Sequence, residues 1–136
     1  MRIFLDANIL FSAAKSDGAI RQLLTLLEKA GHECCVDGYV IGEARRNLVA
    51  KAPTSVGELE RLVSRMKTAG AHRSDPALEG SLPLPAKDQP VLAAAIRQSC
   101  GALVTGDRTH FGELYGRTIH GVTIHSPRSL AEAILV

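Results

Sequence analysis

The sequence predicts one α/β domain over residues 1–136, a three-layer α/β/α sandwich around a mainly parallel sheet. Short apolar runs at Met1–Leu5, Glu33–Val36, Ala102–Thr105 and Val122–His125 have the length of strands buried on both faces. Between them lie segments whose apolar residues recur three and four apart, and strands alternating with helices make a parallel sheet covered on both sides. Hydrophobic residues form 46% of the chain, enough for one core, and no repeat, low-complexity tract or linker divides it.

Each element has its own signal. After MRIFL, the residues Ile20, Leu23, Leu24 and Leu27 give Ala19–Ala30 helical spacing, with Asp17 placed to cap it and Gly31 to stop it. Glu33–Val36 is the second strand, and Tyr39–Lys51 a helix closed by Pro53. Ser55-Val56-Gly57-Glu58 has the pattern of a capping box, followed by Leu59, Leu62, Val63 and Met66 on one face of a helix expected to end near Gly70. Pro76, Pro83 and Pro85 mark Ala71–Lys87 as a loop or broken strand. Val91–Ser99 is an Ala-rich helix, and Ser126-Pro127 opens a last helix to Leu135.

Composition excludes some functions. Aromatics are 4% with no Trp, which argues against platforms that stack on single-stranded bases. A net charge of +2 neither announces nor excludes a nucleic-acid partner. No apolar run approaches the ~18 residues of a membrane helix. Asp6 and Asn8 interrupt the N-terminal apolar stretch, so no secretory signal is expected. Cys34, Cys35 and Cys100 are an odd set, two of them adjacent, expected as small buried hydrophobes of a cytoplasmic protein rather than a disulfide framework.

The chemistry centres on FLDANIL, which sets an acid, Asp6, inside an apolar run. A buried carboxylate must be paired, hydrated or bound to a cation. In a parallel sheet, ligands gather beyond the carboxyl ends of the strands. Asp6 ends the first strand and Asp107 follows ALVT, while Asp88 and Glu43 lie near the starts of helices, whose N-termini share that edge. Four carboxylates converging there remain ionised only around a cation, and hard oxygen donors favour Mg²⁺ or Mn²⁺. Mg²⁺ takes its remaining ligands from phosphate, which makes a phosphodiester the natural substrate; a pair of ions could serve both attacking and leaving oxygens.

Plainer explanations stand beside these. Asp88 alone is an ordinary N-cap, Glu43 a solvated first-turn acid, and Asp107 a turn residue; Asp6 has no comparable structural explanation. Asn8 fixes loop geometry rather than binding metal, and Thr105 either positions a water or ligand or has no role. Asp17, Asp37 and Asp75 are caps or turns. His110 touches phosphate, acts as a base, or does neither. Arg45, Arg46, Lys87 and Arg108 adjoin the acidic motifs and could grip RNA phosphates, although Arg45 and Arg46 equally suit a solvated helix face. The Met66 stripe is core or interface.

LDANIL, Glu43 within a helix, KDQPVLAAAI and LVTGDRTHF, in that order, together resemble the PIN domain over almost the whole chain. The resemblance implies an acidic quartet of Asp6, Glu43, Asp88 and Asp107, supported by Asn8 and Thr105. It implies a metal-dependent endoribonuclease, commonly the toxin of a VapC-type toxin–antitoxin pair, which leaves a 5′-phosphate and a 3′-hydroxyl. It also implies a homodimer and a cognate antitoxin reaching the acidic rim, with Ala19–Ala30 and Ser55–Gly70 as candidate surfaces. Many members carry a further acid where Thr109 stands, which keeps open a degenerate binding or scaffold module; a non-toxin RNA-processing nuclease is another alternative. A haloacid-dehalogenase-like phosphatase would want Asp in place of Asn8, and a phospho-receiver domain a lysine beyond Lys87.

Overall fold

A computed structural model describes residues 1–70 and 75–135. Strand β1 (Arg2–Leu5) runs through Asp6 directly into helix α1 (Ala7–Lys15). Then come α2 (Ala19–Lys29), β2 (Glu33–Asp37), α3 (Gly38–Lys51), a 3-10 turn at Pro53–Ser55, α4 (Val56–Val63) and β3 (Lys67–Ala69). The second half holds α5 (Pro76–Gly80), α6 (Gln89–Arg97), β4 (Ala102–Val104), α7 (Arg108–Phe111), a 3-10 turn at Gly112–Leu114, β5 (Thr118–Ile119), β6 (Val122–His125) and α8 (Pro127–Ile134).

The strands form one sheet in the order β3-β2-β1-β4-β6-β5, parallel except for the β5–β6 pair. Ile3, Phe4 and Leu5 point to alternate faces and are all fully buried, as are Leu103 and Val104, so both faces of the sheet centre are covered. Successive strands step from β1 to one edge through β2 and β3, then return to β4 on the other side. That reversal, between β1 and β4, is where an open parallel sheet makes a ligand crevice.

The α/β class and the strand order along the chain agree with the sequence expectation, and several local features do not. The helix α1 has no counterpart in it: ANILFSAAK is apolar over most of its circumference, and it follows the strand without a turn residue to announce it. The presumed capping box is not formed. Ser55 makes no side-chain cap, and Glu58 pairs with Arg61 at 3.3 Å and Arg21 at 3.8 Å. The same helix ends at Val63, not near Gly70. Met66 still packs against the core from the following turn, which accounts for the periodicity, while Lys67–Ala69 becomes an exposed edge strand with no apolar pattern to reveal it. Asp17 is exposed and does not cap α2, whose N-cap is Gly18. Gly31 does stop that helix: at φ 87° it lets the His32 N–H reach the Leu27 carbonyl at 3.0 Å. In the loop read at Ala71–Lys87, residues 71–74 lie outside the described part, and a short helix capped by Asp75 follows. The cysteines are unpaired, with Cys35 and Cys100 buried and Cys34 half-buried.

Candidate active site

Asp6 leaves β1 in extended backbone, φ −72° and ψ 160°, which suits an N-cap. Its Oδ1 accepts the Ala7 N–H at 2.7 Å, and its Oδ2 accepts the Thr105 hydroxyl at 2.8 Å and the Asn8 amide at 3.2 Å. Asp6 therefore has a structural role that its apolar neighbours hid: it caps α1. The Thr105 hydroxyl in turn accepts the Asn8 amide at 3.2 Å and the Asp107 N–H at 3.1 Å, and Asn8 Oδ1 accepts the Gly106 N–H at 2.8 Å. The ends of β1 and β4 are thus tied by side chains as well as by the sheet.

Asp107 opens α7 and accepts the His110 N–H at 3.2 Å, so it is a cap as well as a turn residue. Asp88 differs. Its backbone is already helical, φ −99° and ψ −16°, so its carboxylate does not fold back on the first N–H groups of α6, and the expected N-cap bond is absent. His110 Nδ1 stands 2.8 Å from Asp107 Oδ2 and 3.0 Å from Asp88 Oδ2. One nitrogen carries at most one hydrogen, so Nδ1 can serve only one of the two carboxylates, and Asp107 is the nearer. Asp88 Oδ2 is left buried with no hydrogen-bond partner, the only such side-chain atom among the described residues. One oxygen from each acid and the imidazole nitrogen lie within 4.8 Å of one another.

Burial dominates the electrostatics. It pushes the Asp6 carboxyl up to about 6, against the pull of Thr105 and the Ala7 N–H, and the charges of Glu43 and Asp88 push the same way. Asp88 is also raised, first by burial and then by Asp107, while His110 and Lys87 oppose the rise. Carboxyls held above their ordinary range by burial and by one another would be relieved by a cation among them.

All four acids line one pocket of about 210 Å³, together with Asn8. Glu43 reaches it from the first half of α3 and is half-buried. Of the residues expected to meet substrate, Lys87 lines the pocket. Arg45 is turned away onto α4, where Glu60 accepts its Nε at 3.1 Å, and the exposed Arg46 and Arg108 are not in the lining. His110 lies within the acid cluster rather than at the rim. Thr109 is exposed and adds no acid.

Sequence reasoning missed Phe11, Asn47 and Lys51, which complete the rim. A signal existed: Glu43, Asn47 and Lys51 recur every fourth residue and so share one face of α3. It also missed the tyrosines. Tyr39 donates its hydroxyl to the Lys87 carbonyl and Tyr115 to the Thr105 carbonyl, both at 2.8 Å, so each pins the chain just ahead of an acid.

The PIN domain family matches residues 2–109 of the chain. Among solved structures, the chain is similar to that of VapBC2 from Rickettsia felis bound to a DNA fragment from their promoter. The identity there is 18% and the TM-score 0.69, over 93% of this chain and 98% of that one. DNA-bound VapBC from Salmonella typhimurium is similar at 16% identity and TM-score 0.67, over 93% and 98%. Mycobacterium tuberculosis VapC20, a sarcin-ricin loop cleaving toxin, is similar at 12% identity and TM-score 0.57, over 79% and 91%. No curated protein matches the sequence.

Proposed function

The chain belongs to the PIN domain family, and on that premise we propose that it is a divalent-metal-dependent endoribonuclease, the VapC-type toxin of a toxin–antitoxin pair. The observation that carries the catalytic reading is the orphaned Asp88 Oδ2, buried against Asp107 and His110. An anionic oxygen buried without a donor is costly, and a cation is the partner that relieves it. The donor set fits Mg²⁺ or Mn²⁺, with His110 adding a nitrogen that Mn²⁺ tolerates better. Asp88 and Asp107 would hold the ion, with Asp6 and Glu43 completing its surroundings.

When bound, such an ion offsets charge on the phosphoryl oxygens and makes water a better nucleophile. The chain supplies position. Thr105 and Asn8 fix the Asp6 carboxylate, Tyr115 fixes the loop to Asp107, and Tyr39 fixes the loop to Asp88. Hydrolysis would leave a 5′-phosphate and a 3′-hydroxyl. The toxin assignment and the antitoxin partner draw support from the VapBC complexes that share the fold; a homodimer in the cytoplasm belongs to the same reading and rests on the family resemblance alone.

The test is cleavage of single-stranded RNA in Mg²⁺ or Mn²⁺, with and without chelator, and analysis of the ends. Activity is expected to vanish on chelation and return with metal. Cleavage that survives chelation and leaves cyclic phosphate would overturn the metal reading in favour of 2′-hydroxyl attack with His110 as base. Absence of both cleavage and Mn²⁺ binding would favour the scaffold alternative that Thr109 keeps open.

A further inference from the structure

Phe11 and Lys51 line the pocket beside the acids, and the Phe11 ring is shared by two ammonium groups, that of Lys51 and that of Lys15 outside the lining. Lys15, one turn along α1, places Nζ 5.7 Å from the Phe11 centroid, and Lys51, at the end of α3, places Nζ at 5.8 Å. We infer that Phe11, Lys15 and Lys51 form a backbone-phosphate subsite for single-stranded RNA, flanking the acidic pocket; the inference rests on the nuclease reading above.

The first argument is charge left over. Among the described residues, Lys15, Lys51 and Lys87 make no ion pair, which is equally true of Lys29, Arg97, Arg108 and Arg117; what sets Lys51 and Lys87 apart is that both line the pocket that holds the four carboxylates. An acidic floor under a basic rim suits a ligand that brings a cation below and anions above, which is a metal-bound phosphodiester chain.

The second argument is the seat. An exposed lysine ordinarily wanders, and an aromatic face confines its charge by cation–π attraction. Lys51 lies eight residues beyond Glu43, about 12 Å along the helix. It would therefore meet a phosphate beside the scissile one, not the scissile one itself. With two cations on the Phe11 ring, it serves as their support rather than as a base platform, so the contact is to backbone and tolerant of sequence. The third argument is depth. Asp6 is 4% exposed and Asp88 9%, so the cleaved phosphate must descend on a strand free to bend, which a duplex is not.

The probe is a fluorescein-labelled, mixed-sequence single-stranded RNA. Its binding is followed by anisotropy in Mg²⁺ over a salt series, on an Asp107→Asn background that should not cleave. Adding Lys51→Gln is expected to weaken binding about fivefold and to flatten the slope of log affinity against log salt by about 0.7. Adding Lys15→Gln as well should flatten it by about twice that. Phe11→Leu, which keeps both charges, should weaken binding with a smaller change of slope. Arg97→Gln, at the far end of α6, should change neither. In the cleaving protein, Lys51→Gln should raise KM about fivefold and leave kcat within about twofold. Unchanged affinity, slope and KM in the lysine variants, in a protein that still cleaves RNA, would overturn the subsite alone. A wild type that never cleaves RNA in Mg²⁺ or Mn²⁺ would instead overturn the premise.

Discussion

At the ends of β1 and β4, Asp6, Asn8 and Thr105 satisfy one another through hydrogen bonds of 2.8 to 3.2 Å, whereas across the same pocket Asp88 Oδ2 has no hydrogen-bond donor of its own, its neighbour at 3.0 Å being the His110 Nδ1 that also faces Asp107. The difference separates two tasks. The strand-end wall is finished before any ligand arrives and holds its carboxylate in one place. The α6 wall is left electrostatically incomplete, and what completes it must come from outside. Stability resides in the first wall and affinity for a cation in the second.

Asp88→Asn tests that division most severely. Cleavage should fall at least about a hundredfold, since the reacting groups lose their anchor. Mn²⁺ affinity by calorimetry should fall with it, while the melting temperature of the metal-free protein holds or rises. A variant that unfolds instead would place Asp88 with the structural wall.

Next in size is the pH response of Asp6. Its folded-state pKa is about 6 against an ordinary 3.8. Between those values the folded protein keeps a proton that the unfolded chain has released. The unfolded state therefore binds fewer protons, and this group makes stability fall as pH rises through that window, by roughly 3 kcal/mol in total, then level off. Denaturation in chelator should show the stability difference moving in favour of Asp6→Asn from about pH 4 to about pH 6 and staying level above, whatever its starting value. A constant difference across the window would deny that Asp6 is buried as a charge.

Thr105→Val keeps the shape of a buried side chain and removes the hub hydroxyl. A loss of about 2 kcal/mol in stability is expected. Cleavage should fall by about tenfold or more, because the Asp6 carboxylate loses its orientation. A stable variant with normal activity would show that the strand-end wall is not the positioning device. The smallest effect belongs to Tyr39→Phe, which frees the Lys87 carbonyl on the incomplete side. A loss of about 1 kcal/mol is expected, with a modest rise in the metal concentration needed for activity.

How far the sequence disclosed this pocket follows the same line. Asp6 was legible because a charge inside an apolar run has few explanations, and Asp107 because it follows an apolar strand at the same edge. The parallel sheet was legible because doubly buried strands read as short apolar blocks. The helix α1 was not: a strand passing into a helix through a single capping acid leaves no turn residue between them. With α1 unseen, Asn8, Phe11 and Lys15 could not be placed on one helix, and the Glu43–Asn47–Lys51 stripe had nothing to face. The orphaned oxygen of Asp88 was beyond sequence altogether. Asp88-Gln89-Pro90 has the composition of a cap, and only the backbone angles at Asp88 show that the side chain points elsewhere.

The rails of the basic rim stand on helices α1 and α3, which pack directly against each other. Their buried sides include Ala13, Ala14 and Ala44, residues small enough to let helix axes approach closely. Bulkier side chains on those buried sides would press the two helices apart and change the breadth of the entrance without touching a substrate. Relatives that exchanged those alanines for bulkier side chains could admit a different shape of strand while keeping every acid unchanged, so substrate preference could diverge from the interior outward.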